Sequence, residues 1–395
     1  MQLVAYGAQD VYLTGNPKVT FFQAVYKRHT NFAMETIEQT VNGTVANNSR
    51  LSVTVARNGD LVGEMFVEVN SNSGLSNAED NAWIAERIIS DCELSIGGQR
   101  MDKHYQKWWV FYSELYLDHQ KKINWGKMTS QPHISQSKPV YLPLIFFFNR
   151  NPGLYLPLIA LQYHEVRLDF DLTDQISTYT DGSTFKVWAN YIYLDTEERR
   201  RFAQGAHEYL IEQVQHTGEV GVTSGQTTNV RLTYNHPIKE LVWGFGLSTS
   251  SNVWDFGTSP WDISFGNDHG LISSSGCPED NASNLFEEEH GPLDKFKLIL
   301  NGQDRFKEQT GKYFNQVQPY HHHSGAAPVG VYSYSFALKP EEHQPTGTCN
   351  FSRIDNAQAA ITLKVAPNNT TLSMFAVNYN VLRIQSGMGG LAFSN

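Results

Sequence analysis

LSIGGQRMDK, running from Leu94 to Lys103, and LILNGQDRFK, running from Leu298 to Lys307, are two versions of one pattern. Leu94, Gly98, Gln99 and Lys103 recur as Leu298, Gly302, Gln303 and Lys307, 204 residues apart. Each version centres on a pair, Gly97-Gly98 or Asn301-Gly302, that tolerates positive φ at both positions. A two-residue hairpin between right-twisted strands needs that freedom. A second match, Ala189-Asn190-Tyr191 with Val377-Asn378-Tyr379, follows in the same order, 188 residues apart. The second half is 16 residues shorter between the matches, about the size of a Trp-bearing stretch found only in the first half. Solenoid repeats have periods of about 20–50 residues, so a repeat near half the chain length signals a duplicated domain.

Reading outward from these hairpins gives eight strands in each half. In the first they lie near Glu35–Gly43, Arg50–Arg57, Leu61–Asn70, Arg87–Ile96, Gln99–Tyr105, Pro139–Phe148, Tyr163–Leu172 and Phe185–Thr196. In the second they lie near His207–His216, Thr227–Asn235, Ile238–Leu247, Leu293–Leu300, Gln303–Gln309, Val331–Lys339, Ala357–Val365 and Ser373–Ile384. Several alternate cleanly: Val166, Leu168, Phe170 and Leu172 share one face, and Arg167, Asp169 and Asp171 the other. One wet and one dry face is the mark of an antiparallel sheet. His104–Asp118 is too long for a strand and places Trp108, Phe111, Tyr112 and Leu115 at helical spacing. Eight strands is the number in one jelly roll. The expected fold is therefore all-β, two consecutive eight-stranded antiparallel jelly-roll sandwiches with short helices in loops. We place an N-terminal arm at residues 1–26, the first sandwich at 27–203 and the second at 204–395. The charged stretch Glu197–Gly205 reads as a solvated linker, and Ser248–Pro292 as a long excursion that packs on itself.

The 395 residues carry 30 Lys and Arg against 40 Asp and Glu, a net charge of −10. Direct wrapping of nucleic acid needs clustered cations and is not expected. Cys92, Cys277 and Cys349 are scattered and odd in number, which gives no disulfide framework. The opening MQLVAYGAQDVYLTG lacks a basic start and an apolar core, so passage through the secretory pathway is not expected. The apolar run Val140–Tyr163 is interrupted by Asn149-Arg150-Asn151-Pro152-Gly153 and reads as two buried segments joined by a turn.

Chemistry-bearing motifs are weak. No P-loop, GxGxxG, HExxH or GxSxG occurs. His321-His322-His323 suggests zinc or copper, but neighbours on an extended chain point to opposite sides, and the flanking residues read as an exposed loop. Asp169 and Asp171 share a strand face and could pair as acids in glycoside hydrolysis. Arg167 beside them favours a charge-paired surface instead. Glu287-Glu288-Glu289 reads as an exposed acidic turn. No catalytic centre, metal site or cofactor is expected, and the chain is not read as an enzyme. Asn-x-Ser/Thr sequons stand at Asn42, Asn47, Asn281, Asn350, Asn368 and Asn369. Of these, Asn47, Asn281, Asn368 and Asn369 fall in connections expected at one end of the molecule, where glycans would be accessible.

Four stretches are distinctive together: GAQDVYLTGNPKVTFFQAVYKRHTNFA (Gly7–Ala33), GLYLPLIALQYHEV (Gly153–Val166), HPIKELVW (His236–Trp243) and SGMGGLAFSN (Ser386–Asn395). The combination resembles the major capsid proteins of the nucleocytoplasmic large DNA viruses, over essentially the whole chain. The resemblance implies a double jelly roll whose homotrimer forms a pseudo-hexagonal capsomer. Such capsomers would tile an icosahedral shell over an inner viral membrane, in a virion whose proteins are made in host cytoplasm. The implied partners are neighbouring capsomers and minor capsid proteins. Within the arm region, Lys18, Lys27 and Arg28 against Asp10 give a local charge of +2, and Phe21, Phe22 and Tyr26 add apolar surface. These residues are expected to contact neighbouring subunits, minor capsid proteins or the anionic membrane. The competing readings are a minor capsid or spike protein of the same lineage, and a lectin-like jelly roll that binds carbohydrate alone.

Overall fold

The computed structural model describes residue 8 and residues 30–73, 83–130, 137–223, 225–247, 290–328, 330–364 and 370–393. Ten strands form the first half: β1 (Phe32–Gln39), β2 (Val41–Asn42), β3 (Arg50–Thr54), β4 (Leu61–Ser71), β5 (Ile89–Ile96), β6 (Gln99–Tyr105), β7 (Pro139–Pro143), β8 (Leu156–Pro157), β9 (Val166–Leu172) and β10 (Thr180–Leu194). The second half contains β11 (His207–Val222), β12 (Thr227–Arg231), β13 (Pro237–Leu247), β14 (Leu293–Leu300), β15 (Gln303–Asp304), β16 (Gln309–Thr310), β17 (Val331–Ser335), β18 (Cys349–Asn350), β19 (Ala357–Leu363), β20 (Thr370–Gln385) and β21 (Met388–Leu391).

In the first half one sheet runs β1-β10-β4-β7 and the other β2-β3-β9-β5-β6. The second half repeats this as β11-β20-β13-β17 and β12-β19-β14-β15. Replacing β1, β3, β4, β5, β6, β7, β9 and β10 by β11, β12, β13, β14, β15, β17, β19 and β20 converts one order into the other, apart from the short edge strand β2, which has no counterpart on the second path. The chain is a double jelly roll, as the duplicated pattern implied. Both hairpins close as expected, with Ile96 paired to Gln99 and Leu300 to Gln303. Their turn residues have φ of 59° and 80° at Gly97 and Gly98, and 51° and 78° at Asn301 and Gly302. Positive φ at both central positions is the type I′ geometry.

The second sequence match is looser than it looks. Ala189 and Tyr191 point into the core of the first sandwich, whereas Val377 points out of the second sandwich and against the first. The matched triplets lie on corresponding strands with their faces interchanged, because a slip of one residue flips every side chain of a strand.

Other expectations shift locally. The strand read at Pro139–Phe148 ends at Pro143, and Phe147–Arg150 is a helical turn. There the Asn149 Oδ1 accepts the Phe146 N–H at 3.1 Å, and a run apolar on both sides gave no alternation to detect the change. The stretch Glu197–Gly205, read as a solvated linker, is exposed and forms most of a helix, Thr196–Gln204. The Asp195 carboxylate caps it by accepting the Glu197 N–H at 2.8 Å, and Glu197 and Glu198 suit the positive end of the helix dipole. The strand read at Gln303–Gln309 is two separate two-residue pieces, β15 and β16.

The expected Trp-bearing helix forms at Gln106–Leu115 and is followed by a second helix, His119–Thr129. Each sandwich is filled by its own inward residues; in the second, Trp243 stacks on Phe296 with ring centroids 4.5 Å apart. The larger core cluster, however, crosses between halves. It joins the first sandwich to Ile211, Val242, Val331, Phe375, Val377, Leu382 and Ile384 of the second.

Candidate functional site: the seam between the sandwiches

The outer face of the β11-β20-β13-β17 sheet meets the helices and turns of the first half. Its apolar centre is Phe375, which stacks on His216 at 4.4 Å and contacts Phe111 at 5.5 Å and Trp108 at 5.8 Å between ring centroids. Tyr105 at the end of β6 closes the same cluster from the first half. Burying aromatic rings of this size contributes about 2–3 kcal/mol each.

Beside this apolar centre lies a buried charge network. Glu212 of β11 accepts Arg150 at 2.8 Å and Lys239 at 2.7 Å. Lys239 is fully buried, also donates to the Pro340 carbonyl at 2.5 Å, and lies 5.6 Å from the centre of the Tyr379 ring. Burial pushes the Lys239 ammonium below its usual range; burial works against ionising Glu212, but Arg150 and Lys239 outweigh it and hold that carboxyl low. Lys239 occupies the extra position of a β-bulge, between the pairs Ile238–Asn378 and Glu240–Val377, so that it and Glu240 both reach the outer face.

Glu240 meets His323 at 3.2 Å, and Glu341 meets the other ring nitrogen of His323 at 3.3 Å. Burial alone would lower the pKa of His323, but the two carboxylates carry it up to about 9. The network thus balances three cations (Arg150, Lys239, His323) with three carboxylates (Glu212, Glu240, Glu341). A cavity of about 400 Å³ opens beside it, lined from the first half by Tyr112, Tyr116 and Arg150 and from the second by Glu212, Ser324 and Glu341.

Backbone contacts complete the seam. The Asp102 carboxylate accepts the Val214 N–H at 2.9 Å, and the Gln99 side chain accepts the Leu391 N–H at 3.2 Å. Gly325 N–H donates to the Leu115 carbonyl at 2.9 Å, and a Cβ at Gly325 would stand 2.1 Å from the Glu114 carbonyl. A Cβ at Gly389 would meet Leu161 at 2.7 Å. The chain-terminal glycines of SGMGGLAFSN are therefore packing residues of the seam. HPIKELVW supplies Lys239 and Glu240, and GLYLPLIALQYHEV supplies Leu161 and His164. Three of the four distinctive stretches converge here, which the sequence reading did not foresee. The available signal was two consecutive charges inside an otherwise apolar strand.

The residues singled out from sequence fare differently. The arm residues Lys18, Phe21, Phe22, Tyr26, Lys27 and Arg28 lie outside the described residues, as do Asn281, Asn368, Asn369 and Glu287-Glu288-Glu289. Asn47 is exposed between β2 and β3, with its side-chain carbonyl accepting the Ser177 N–H at 3.0 Å. The histidine run is not an exposed loop of extended chain: His321 and His322 end a helix, Gln318–His322, and His323 is drawn into the charge network. Its glutamate partners, distant in sequence, decide that placement. Asp169 is paired with Arg167 at 2.8 Å and Arg50 at 3.4 Å, and Asp171 with Arg50 at 3.5 Å, a charge-compensated sheet face. Among the described residues no three or more His, Cys, Asp or Glu side chains are grouped to hold a metal ion. No described helix is long and apolar enough to cross a membrane.

Comparison with known proteins gives a consistent result along the whole chain. Residues 198–390 match the family described as large eukaryotic DNA virus major capsid protein, and residues 20–195 match the major capsid protein N-terminus family. The chain is 46% identical to the major capsid protein of Paramecium bursaria Chlorella virus 1, covering 100% of this chain and 99% of the relative. It is 41% identical to the major capsid protein of Pyramimonas orientalis virus, with 100% and 99% covered. The PBCV-1 virus capsid structure superposes with a TM-score of 0.82 at 41% identity, covering 95% of this chain and 100% of that one. The Faustovirus major capsid protein shares the fold, with a TM-score of 0.71 at 12% identity over 96% and 94% of the two chains.

Proposed function

Because the chain belongs to the large eukaryotic DNA virus major capsid protein family, we propose that it acts as a homotrimeric capsomer with a pseudo-hexagonal outline, tiling an icosahedral shell. The family is one of structural capsid proteins, not of enzymes. The observation that supports the capsomer reading is the same strand order occurring twice in one chain. Two similar sandwiches per chain and three chains per ring give six similar wall elements. A threefold ring can then occupy a six-cornered lattice position. The seam matters because a wall element is useful in a lattice only if its angle to the next is fixed. A shared apolar core and a neutral buried charge network set that angle between the two sandwiches.

In this reading residues 1–26 form an arm beneath the capsomer. Lys18, Lys27 and Arg28, with Phe21, Phe22 and Tyr26, contact neighbouring capsomers, minor capsid proteins or the inner viral membrane. Nucleic acid is not a direct partner, synthesis takes place in host cytoplasm, and Asn47, Asn281, Asn368 and Asn369 are the candidate glycan carriers. Light scattering under non-denaturing conditions tests the core of the proposal. A trimer of three 44.6 kDa chains should weigh about 134 kDa. A stable monomer that binds glycans would overturn the reading in favour of a lectin-like jelly roll. Deleting residues 1–26 should leave soluble trimers that fail to assemble shells; normal shells from that variant would sink the arm's role.

A further inference from the structure

The cavity of about 400 Å³ in the seam has the size of a small-molecule site, for which about 300–1,000 Å³ is usual. Both halves build it. Tyr112, Tyr116 and Lys121 come from the two first-half helices and the turn between them, Asn151 and Leu154 from the segment after β7, and His343 from the second half. The charge network beside it accounts for only part of this lining.

The acceptors that face the cavity are already engaged. Glu212 holds Arg150 and Lys239. Glu341 accepts the Ser324 N–H at 2.7 Å as well as the Ser324 hydroxyl, and it faces His323. Asp118 Oδ1 accepts the Lys121 N–H at 2.8 Å, and Asn151 Oδ1 accepts the Gly153 N–H at 2.9 Å. What is left over is a set of donors. The Tyr116 hydroxyl is buried with no hydrogen-bond partner among the described residues, an arrangement that native interiors rarely leave unused. The Lys121 ammonium, the Asn151 side-chain nitrogen and the His343 ring also make no ion pair or hydrogen bond among the described residues.

We propose that the cavity binds a small organic anion, whose phosphate or carboxylate oxygens accept from Tyr116, Lys121, Asn151 and His343 while its carbon skeleton lies against Phe147 and Leu154. Spare donors call for oxygen acceptors, and charge decides that these are anionic. The three cations and three carboxylates of the network cancel, and Asp118 is offset by the positive end of the helix it caps. Lys121 is then the uncompensated charge of the lining, and a hydrogen bond between an ammonium and an anion is about twice as strong as a neutral one. Inorganic phosphate alone would occupy little of the volume, and the apolar Phe147 and Leu154 suit an attached carbon skeleton. Three of the donors belong to the first half and His343 to the second, so the bound anion ties the sandwiches together across the seam. The inference goes beyond the capsomer reading and does not depend on how many copies associate.

Isothermal titration of the full-length protein with glucose 6-phosphate, citrate, inorganic phosphate and glucose, at fixed ionic strength, tests this. Glucose 6-phosphate or citrate should bind with a Kd of about 1 mM or lower, and inorganic phosphate and glucose at least about tenfold more weakly. The organic anion should also raise the temperature of thermal unfolding, because a ligand that binds only the folded chain stabilises it. Tyr116→Phe keeps the ring and Lys121→Ser changes an exposed side chain. Together they should weaken anion binding at least about tenfold. Lys127→Ser, an exposed position on the same helix that does not line the cavity, should leave binding unchanged. Circular dichroism checks the fold; should the double variant unfold, Lys121→Ser alone decides, with a loss of at least about threefold expected. The proposal is overturned if neither organic anion binds, if glucose or inorganic phosphate binds as tightly, if the double variant binds as the parent does, or if Lys127→Ser loses as much as the double variant.

Discussion

Glu86 is a fully buried carboxyl with no cation in contact among the described residues: one oxygen accepts the Trp125 indole N–H at 2.7 Å, and burial lifts its pKa from 4.5 to about 7. A carboxyl raised in the folded state holds its proton where the unfolded chain has lost it. Its contribution is fully present below pH 4.5, is lost as pH rises to 7, and stays lost above. The difference corresponds to about 3 kcal/mol. Glu86→Gln keeps an acceptor for the indole and removes the titration. Urea unfolding should find the variant more stable than the parent at pH 8 by up to about 3 kcal/mol and no more stable at pH 4.5; equal stabilities at pH 8 would contradict this. Lys239 behaves oppositely, because removing it leaves two carboxylates of the seam undercompensated. Lys239→Met should cost about 3–5 kcal/mol in the same measurement, the cost of breaking a buried pair. Neither environment was legible in sequence. Glu86 lies in a short helix, Ile84–Arg87, that no periodicity announces, and the partner of Lys239 is Glu212, a residue on another strand.

Elements were read best where local chemistry alone decides them. The two I′ turns are written in Gly97-Gly98 and Asn301-Gly302, and alternation marks β3 and β9 unambiguously. Elements failed where tertiary packing decides. β20 is buried on both faces for most of its length, so alternation could not tell which face meets its own sandwich and which meets the other. The run His321–His323 read as an exposed loop because its flanks, Pro319-Tyr320 and Ser324-Gly325, resemble turn chemistry, whereas the helical form of Tyr313–His322 depends on packing of Phe314 beneath Trp243 at 5.5 Å. The closing hairpin of β20 and β21 gives an element-scale test. Gly389 packs where a Cβ would stand 2.7 Å from Leu161 and 3.3 Å from Ile96, both in the first half. Gly389→Val should destabilise the protein by about 1–3 kcal/mol through overpacking. The same change at Gly302, where a Cβ meets nothing within 4 Å, instead tests only the strain of its φ of 78°. If Gly389→Val unfolds at the same urea concentration as the parent, β21 is not part of the seam.

At the scale of the molecule, the duplicated sequence suggests two units that could fold separately, whereas the packing joins them. Phe375, Val377 and Val242 belong to the second half by sequence and to the first half's core by contact. Separation at residue 203 would expose those side chains together with Lys239, Glu212 and Glu240, which are buried charges as well as apolar surface. The two sandwiches should therefore unfold as one cooperative unit, although multidomain chains of this length commonly do not. Differential scanning calorimetry of the intact chain is expected to show one transition. Phe375→Ala should weaken the weld by removing the ring at its centre, at about 3–5 kcal/mol for a buried Phe. It should split that transition in two by uncoupling the sandwiches while leaving each one's own core intact. Two transitions in the unaltered protein would mean that the seam positions the sandwiches without binding their stabilities together. The fixed angle between wall elements would then have to come from contacts between copies instead of from within the chain.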